Sequence, residues 1–568
     1  MLTNRYLYDI LCKDVEMRRV SERAYLIFEE DDGMKKSLVR FLCLVMAALM
    51  ALGCVSALAE EDDFSGKITI SLYSAKGVEE AWRAVGDAYT AKHPNAEVVV
   101  DLKPQDGYAD WVKAAFQGYD SALPEADIVY GNLAGSDRTD KVVNFYDYAF
   151  DESAYSDGEW ADQIAFDMQN IDQITGSWDC VSITGVQVLW FYNVDIFNEV
   201  GVEPPKTWDE FVDVCAKIEA AGYQPLAVAG DFQSFWAEQM GWLAQVYCDQ
   251  TTRSQIEIYR AQEGDYCYDP DVDGKFVYDP TDPHNDDTPA NVNVNTVRFW
   301  KAFLKDGTIK AGSDGMKTVW SNFAKIFPTY AGGENFFGTD ANNAKTMFYQ
   351  SKAAIYLSGS WFFGDYLNTM ASIDAGEAVT IGDGEDAVEL EGLKKFGLGT
   401  FAMPSMEGEG IEAKARTIEV ATGFLSAVKK DIDHDEMVVD FLKFYTSPEG
   451  YSTFLSALIE AGGVPDGLPL VKGIELEGEL GEMFANIEYI GNCQKGLCQA
   501  LARGVGDNQE ALRAWYGYSS DLLNGKITVD EWAEKHQENQ TKYAPEVMKA
   551  SKISMNDLDN PQNEPTGN

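Results

Sequence analysis

Between Lys67 and Tyr130 the sequence switches four times between two hydrophobic periods. Ile68, Ile70 and Leu72 alternate with polar residues and predict a strand over Lys67–Leu72. Glu79–Lys92 carries apolar residues at helical spacing and stops before His93-Pro94-Asn95. Glu97–Leu102 predicts a second strand, Tyr108–Tyr119 a second helix, and Ala126–Tyr130, after Pro124, a short buried third strand. Strand–helix–strand–helix–strand is the pattern of an α/β fold with a parallel sheet. Open sheets of this kind bind ligands beyond the carboxyl ends of their strands. Tyr73-Ser74 and Gly131-Asn132 therefore mark a candidate site edge.

A second legible block runs from Gly185 to Ala221. Val186–Tyr192 predicts a strand, and Asn193–Val200 a short helix closed by Gly201. Thr207-Trp208-Asp209-Glu210 is a capping box for a helix through Ala220, and Thr528-Val529-Asp530-Glu531 is another near the C-terminus. Ser447-Pro448-Glu449 places Pro at the first position of a further helix. Residues 259–295, rich in Asp, Pro, Tyr and Asn, predict an insertion loop. The polar tail, residues 551–568, is expected to be disordered.

The chain has 568 residues, enough for two or three domains with cores of their own. Its 93 acidic and 45 basic residues leave a net charge of −48. Phosphate backbones and anionic lipid repel such a surface, so nucleic acid is not an expected partner.

Met34-Lys35-Lys36 and Arg40 form a basic leader, Phe41–Leu58 is almost wholly apolar, and Ala57-Leu58-Ala59 presents a small-x-small cleavage pattern before four acidic residues. Residues 34–59 thus predict a secretory signal, and residues 1–33 an over-extended reading frame. Ala51-Leu52-Gly53-Cys54 resembles a lipobox, with Ala51 where Leu is usual, so Cys54 is the expected lipidation site if the chain is anchored. Either route exports the protein. Local bridges Cys493–Cys498 and Cys248–Cys267 are compatible with export, as are buried free thiols.

Leu189-Trp190-Phe191-Tyr192-Asn193-Val194-Asp195-Ile196-Phe197, then Gly201, then Pro205-Lys206-Thr207-Trp208-Asp209-Glu210-Phe211 resembles the extracellular solute-binding family 1, the sugar-type binding proteins of ABC importers. Lys352-Ala353-Ala354-Ile355 with Gly359-Ser360-Trp361, Thr422–Ser426, Phe441–Gly450 with Gly463-Val464-Pro465, and Gly525–Glu531 follow in family order. The resemblance implies a two-lobe, periplasmic-binding-protein-like α/β fold (type II) with hinged lobes and a ligand cleft. It places 60–185 with about 416–463 in the first lobe and 186–415 with about 464–550 in the second. The lobe crossings are expected near Gly185, Arg416 and Gly463.

A sugar ring needs flat aromatic platforms with short polar side chains around them. Trp361 stands where the resemblance places a stacking Trp; a core Trp is the alternative. Trp236, Asp231 and Phe235 fall in the segment where the family carries acidic and aromatic ligand residues. Ser74, Asn132 and Gln187 are polar candidates at strand ends and at the first crossing, and Trp515 is a candidate aromatic wall or core residue. Tyr192, Asn193 and Trp208 are expected to be structural.

Four His, none beside an obvious nucleophile, and the lack of GxSxG, HExxH or a P-loop argue against catalysis. Asp269-Pro270-Asp271-Val272-Asp273-Gly274 matches half of a calcium loop, but Pro280 stands where the bidentate Glu belongs, so a solvated loop is preferred to structural Ca²⁺. No cofactor and no catalytic metal are expected. The combined expectation is a monomeric, exported binding protein that captures a carbohydrate, expected to be an oligosaccharide, and hands it to ABC permease subunits. A binding protein for a polyol, peptide or polyamine, or a secreted carbohydrate-active enzyme with two carboxylates flanking its cleft, are the alternatives.

Overall fold

The structure, a computed structural model, describes residues 64–104, 107–117, 125–131, 141–171, 177–286, 291–382, 387–488, 490–495 and 497–567. Asn132, Cys54, the signal segment 34–59 and residues 1–33 lie outside them. Phe64 and His93, ring edge to ring face at 5.7 Å, belong to a separate small unit. Everything below belongs to the main unit, Gly66–Lys92 and Ala96–Asn568.

The first sheet follows the predicted α/β pattern. β1 (Gly66–Tyr73) pairs in parallel with β2 (Ala96–Lys103) on one side and β3 (Ile128–Tyr130) on the other. Ile68, Ile70 and Leu72 are fully or almost fully buried. Helix Val78–Lys92 turns Trp82, Val85 and Tyr89 inward, and Trp82 packs on Tyr445 at 4.4 Å and edge-on to Phe454 at 5.4 Å.

The second sheet is built on β4 (Thr184–Asn193). Val188 and Trp190 enter one core and Leu189 and Phe191 another, so both faces of the strand are covered. That double burial is why Val188–Phe191 is an unbroken apolar run. β5 (Gln224–Ala227) lies parallel to β6 (Ala353–Gly359), which is antiparallel to β4. β7 (Val379–Ile381) and β8 (Val388–Leu390) form a hairpin, and β9 (Leu398–Phe401) extends β4. Asn193 caps helix Val194–Val200 by accepting from Asp195 and Ile196 N–H, and Gly201 ends it at φ 73°. Both predicted capping boxes, at Thr207 and Thr528, are formed.

The chain passes between the sheets at three places. The first lies between Val181, bridged to Leu425, and β4 at Thr184. The second lies between β10 (Glu419–Thr422), paired with β4, and β11 (Leu425–Ala427), paired with β3. It therefore falls at Gly423-Phe424, not near Arg416 as expected, and residues 416–422 belong with the second sheet. Gly423 has φ 71°, and a side chain there would meet Ile183, so the crossing needs glycine. The third follows helix Pro448–Glu460 and leads into β12 (Leu468–Pro469), which pairs with β4 beside Thr184 and Gly185. Two α/β lobes joined by such crossings are the periplasmic-binding-protein-like architecture.

Arg416 is instead the centre of a buried ion network. It is 1% exposed, and its guanidinium donates to Asp249 at 2.9 and 2.5 Å and to Asp286 at 2.7 Å. Arg253 donates to the same Asp286 oxygen at 2.8 Å, which ties the insertion to the second lobe. The tail is not disordered among its described residues: Leu558 is fully buried, Gln562 O accepts from Tyr266 N–H at 2.9 Å, and Pro561 O accepts from Asn295 at 2.8 Å. Cys248, Cys267 and Cys493 are in no disulfide, so the Cys248–Cys267 bridge is not formed, nor is one at Cys493; the Cys498 side chain is outside the description. No helix among the described residues is long and apolar enough to cross a membrane.

Candidate functional site

The carboxyl ends of β1 and β3 open onto a cavity. Its lining includes Tyr73, Lys76, Tyr130, Thr184, Tyr451 and Asp466. Strand pairing brings Tyr73 and Tyr130 there: their rings meet at 90° and 4.9 Å. Thr184, from the first crossing, holds Thr422 at the second by a hydroxyl–hydroxyl bond of 2.8 Å. Tyr451 is fully buried in helix Pro448–Glu460, yet its hydroxyl has no partner. Asp466 follows Gly463-Val464-Pro465 at the third crossing. Its carboxyl keeps access to solvent through the cavity, but the surrounding protein desolvates it and pushes its pKa up. Ser74 is exposed at the end of β1, where its N–H donates to Lys103 O at 2.8 Å.

The second lobe brings Trp361 and Gln187 to one edge. β6 runs antiparallel to β4, so Ser360 just past its end exchanges bonds with Gln187: Ser360 N–H donates to Gln187 O at 2.9 Å, and Ser360 Oγ accepts from Gln187 N–H at 3.2 Å. Gln187 Nε2 donates to Glu488 O at 3.1 Å, while its Oε1 is buried without a partner. Trp361 is 38% exposed and starts helix Phe362–Ala375. Its indole lies over Gly359, and Trp242 meets it edge-on at 6.0 Å. Gly364, one turn on, packs against Val464 of the cavity wall, which places the start of this helix beside the cavity.

Trp236 lies half-buried on the same lobe. Arg503 donates to its carbonyl at 2.6 Å and stands 5.7 Å from its ring. With its amide oxygen turned toward Arg503, Gln245 accepts from both guanidinium nitrogens at 3.0 and 3.2 Å. Asp231 is the N-cap of helix Phe232–Ala237, where Oδ2 accepts from Gln233 N–H at 3.0 Å and Oδ1 is buried without a partner.

Two predicted site residues are core residues. Phe235 and Trp515 are both fully buried and pack on each other at 5.0 Å. Trp515 sits on the buried stripe Ala511, Leu512, Trp515, Tyr518, Leu522 of helix Gln509–Leu523. That stripe is the reason it faces inward. Tyr451, Asp466, Tyr130, Lys76 and Trp242 were not singled out by their residue pattern. Lys76 could have been found by the strand-end rule that points to Ser74, and Asp466 by its place after the third crossing.

The carboxylates of the half calcium loop accept hydrogen bonds from the loop's own backbone and from Asn293. Asp273 accepts from Asp269 N–H at 2.8 Å and from Asn293 N–H at 2.7 Å, and Asp269 accepts from Asp271 N–H at 2.8 Å. These carboxylates face N–H donors as turn acceptors. Among the described residues no group of three or more His, Cys, Asp or Glu is placed to hold a metal.

The family model for bacterial extracellular solute-binding proteins matches residues 75–452. A probable sugar-binding periplasmic protein of Mesorhizobium japonicum is 25% identical over 218 residues, which cover 38% of this chain and 40% of that relative. A structure solved in work on xylan utilization by Caldanaerobius polysaccharolyticus superposes with a TM-score of 0.50 at 16% identity, covering 83% of this chain and 99% of the other. A family 1 extracellular solute-binding protein from Bifidobacterium longum subsp. infantis superposes at 0.50 with 14% identity, covering 84% and 99%. The likenesses to solved structures show the fold, and the family match runs from β2 through β11 and includes the first two crossings. The chain belongs to the bacterial extracellular solute-binding proteins.

Proposed function

We infer that this protein captures an oligosaccharide between its lobes, closes on it by hinge motion, and delivers it to the permease subunits of an ABC importer without turning it over. The observation that carries this is Trp361: an exposed indole fixed at a strand end, where Ser360 bonds it to the backbone of Gln187. An indole face with short polar groups at its edge suits a sugar's C–H face and hydroxyl rim. The relative named for sugar binding supports the same ligand class. The basic, apolar and small-residue run over 34–59 supports export, with release by cleavage after Ala59 or anchoring through a lipidated Cys54.

Asp466 favours one other ligand class. Its carboxyl opens onto the cavity and has no salt-bridge partner among the described residues, which suits a cationic group on an amino sugar or a polyamine. Calorimetry of the purified protein against neutral linear oligosaccharides, amino sugars and polyamines separates the classes. The inference expects heat with one glycan group and unchanged glycan on chromatography. Heat only with polyamines, or release of shorter products, contradicts it.

A further inference from the structure

The first lobe carries an exposed aromatic corner away from the cavity lining. Tyr146 is 40% exposed and Phe150 51%. Their rings meet edge-to-face at 5.4 Å, and Phe166 closes the corner at 5.8 Å from Phe150 and 6.4 Å from Tyr146. The corner is built on a rigid base. Phe166 packs on Trp178 at 5.3 Å, and Trp178 on Trp160 at 4.9 Å, with both indoles fully buried. Asn144 fixes the backbone beneath by accepting from Tyr146 N–H at 3.2 Å and Trp178 N–H at 2.9 Å. Clustered exposed rings of this kind mark interaction surfaces.

The charge on the sequence segments that carry the corner has one sign. From Val142 to Pro205 the sequence carries no Lys or Arg. Asp147, Asp151 and Asp167 are exposed on the same segments as the three rings. Lys443 is mostly buried and already faces Asp151 at 3.8 Å. The Tyr148 hydroxyl is pushed up by burial and then by Asp435, Glu436, Asp147 and Asp151, in keeping with a negative field there.

These features select the occupant. A sugar stacks on one flat ring face, but these rings meet at 83° and 71° and form a corner. Anionic lipid and nucleic acid are repelled. A protein segment that pairs apolar side chains with Lys or Arg meets both the rings and the carboxylates, with the cations also able to sit over ring faces. We propose that Tyr146, Phe150 and Phe166, with the surrounding carboxylates, form a docking surface for a Lys/Arg-bearing segment of the importer's membrane subunits. This rests on the importer reading above.

The test uses cells that depend on the full-length chain for uptake of the glycan found by calorimetry. The photocrosslinker p-benzoylphenylalanine replaces Phe150, and the crosslinked peptide is identified by mass spectrometry. In parallel, Phe150→Ser and the pair Asp147→Asn, Asp167→Asn are measured for glycan affinity and uptake. The expected result is a crosslink to a Lys/Arg-containing segment of a membrane subunit, and an uptake rate down about tenfold with affinity within about twofold of wild type. Uptake equal to wild type in these variants overturns the proposal, as does a crosslink only to glycan, to lipid or to a second copy of the chain. A wild-type chain that binds glycan but supports no uptake overturns the importer reading, and this surface assignment falls with it.

Discussion

The indole of Trp361 lies over the backbone of Gly359, in the space that a side chain at Gly359 would occupy. The residue that ends β6 is thus the seat of the platform that follows it. Ser360 between them is bonded on both sides to the Gln187 backbone, so the platform's position is set by the pairing of β4 and β6.

Gly359→Ala should lift the indole from its seat without emptying any core space. Glycan affinity is expected to fall by about 1–2 kcal/mol, roughly five- to thirtyfold. Calorimetry measures the affinity, and a thermal melt shows whether the fold is retained.

Phe235→Ala and Trp515→Ala should act on stability. Both rings are fully buried against each other, so each truncation is expected to cost about 3–5 kcal/mol. Chemical denaturation reads this directly. Glycan affinity of the fraction that remains folded should stay within about twofold of wild type, and a selective loss of affinity would return these residues to the cleft.

Arg416→Met would leave Asp249 and Asp286 buried with their shared partner removed. Taking one member from a buried ion network costs about 3–5 kcal/mol; here Asp249 is the charge left stranded, while Asp286 keeps Arg253. Denaturant midpoints should fall accordingly. Loosening of the insertion should appear as faster amide exchange in residues 277–286.

His536 is fully buried, bonded to Leu501 O at 2.9 Å and to the Tyr518 hydroxyl at 2.8 Å, and burial pushes its pKa down to about 4. The unfolded chain takes up this proton near the ordinary histidine value of about 6.5, before the folded one does. This group's contribution to stability is therefore full above about 6.5 and is lost as pH falls toward 4. An NMR titration of the ring should show a midpoint near 4; a midpoint above 6 would contradict the buried neutral ring.

Much of the architecture is legible in local sequence because its causes are local. Alternating Ile68, Ile70 and Leu72 define β1, Thr207 and Glu210 cap their helix, and Gly201 ends the one before it. The position of Trp361 just past a strand end is legible because Ala353–Gly359 is an apolar run that closes on a glycine. Phe235 was misread because its helix spans little more than one turn, too short for periodicity to fix the buried face. Trp515 lies on a helical stripe that its own sequence spacing displays, and the core alternative stated for it is the one the helix adopts. The second crossing was displaced because what holds Arg416 in the second lobe, Asp249 and Asp286, lies more than a hundred residues away. The ordered tail has the same cause, since its partners Tyr266 and Asn295 come from the insertion.

The account turns on carbohydrate captured at Trp361, and the most direct measurement is calorimetric titration of Trp361→Ala beside wild type with the glycan that wild type binds. A melting temperature close to wild type and an affinity lower by about 2 kcal/mol, roughly thirtyfold, is the predicted result. Unchanged affinity in a folded Trp361→Ala protein would contradict it.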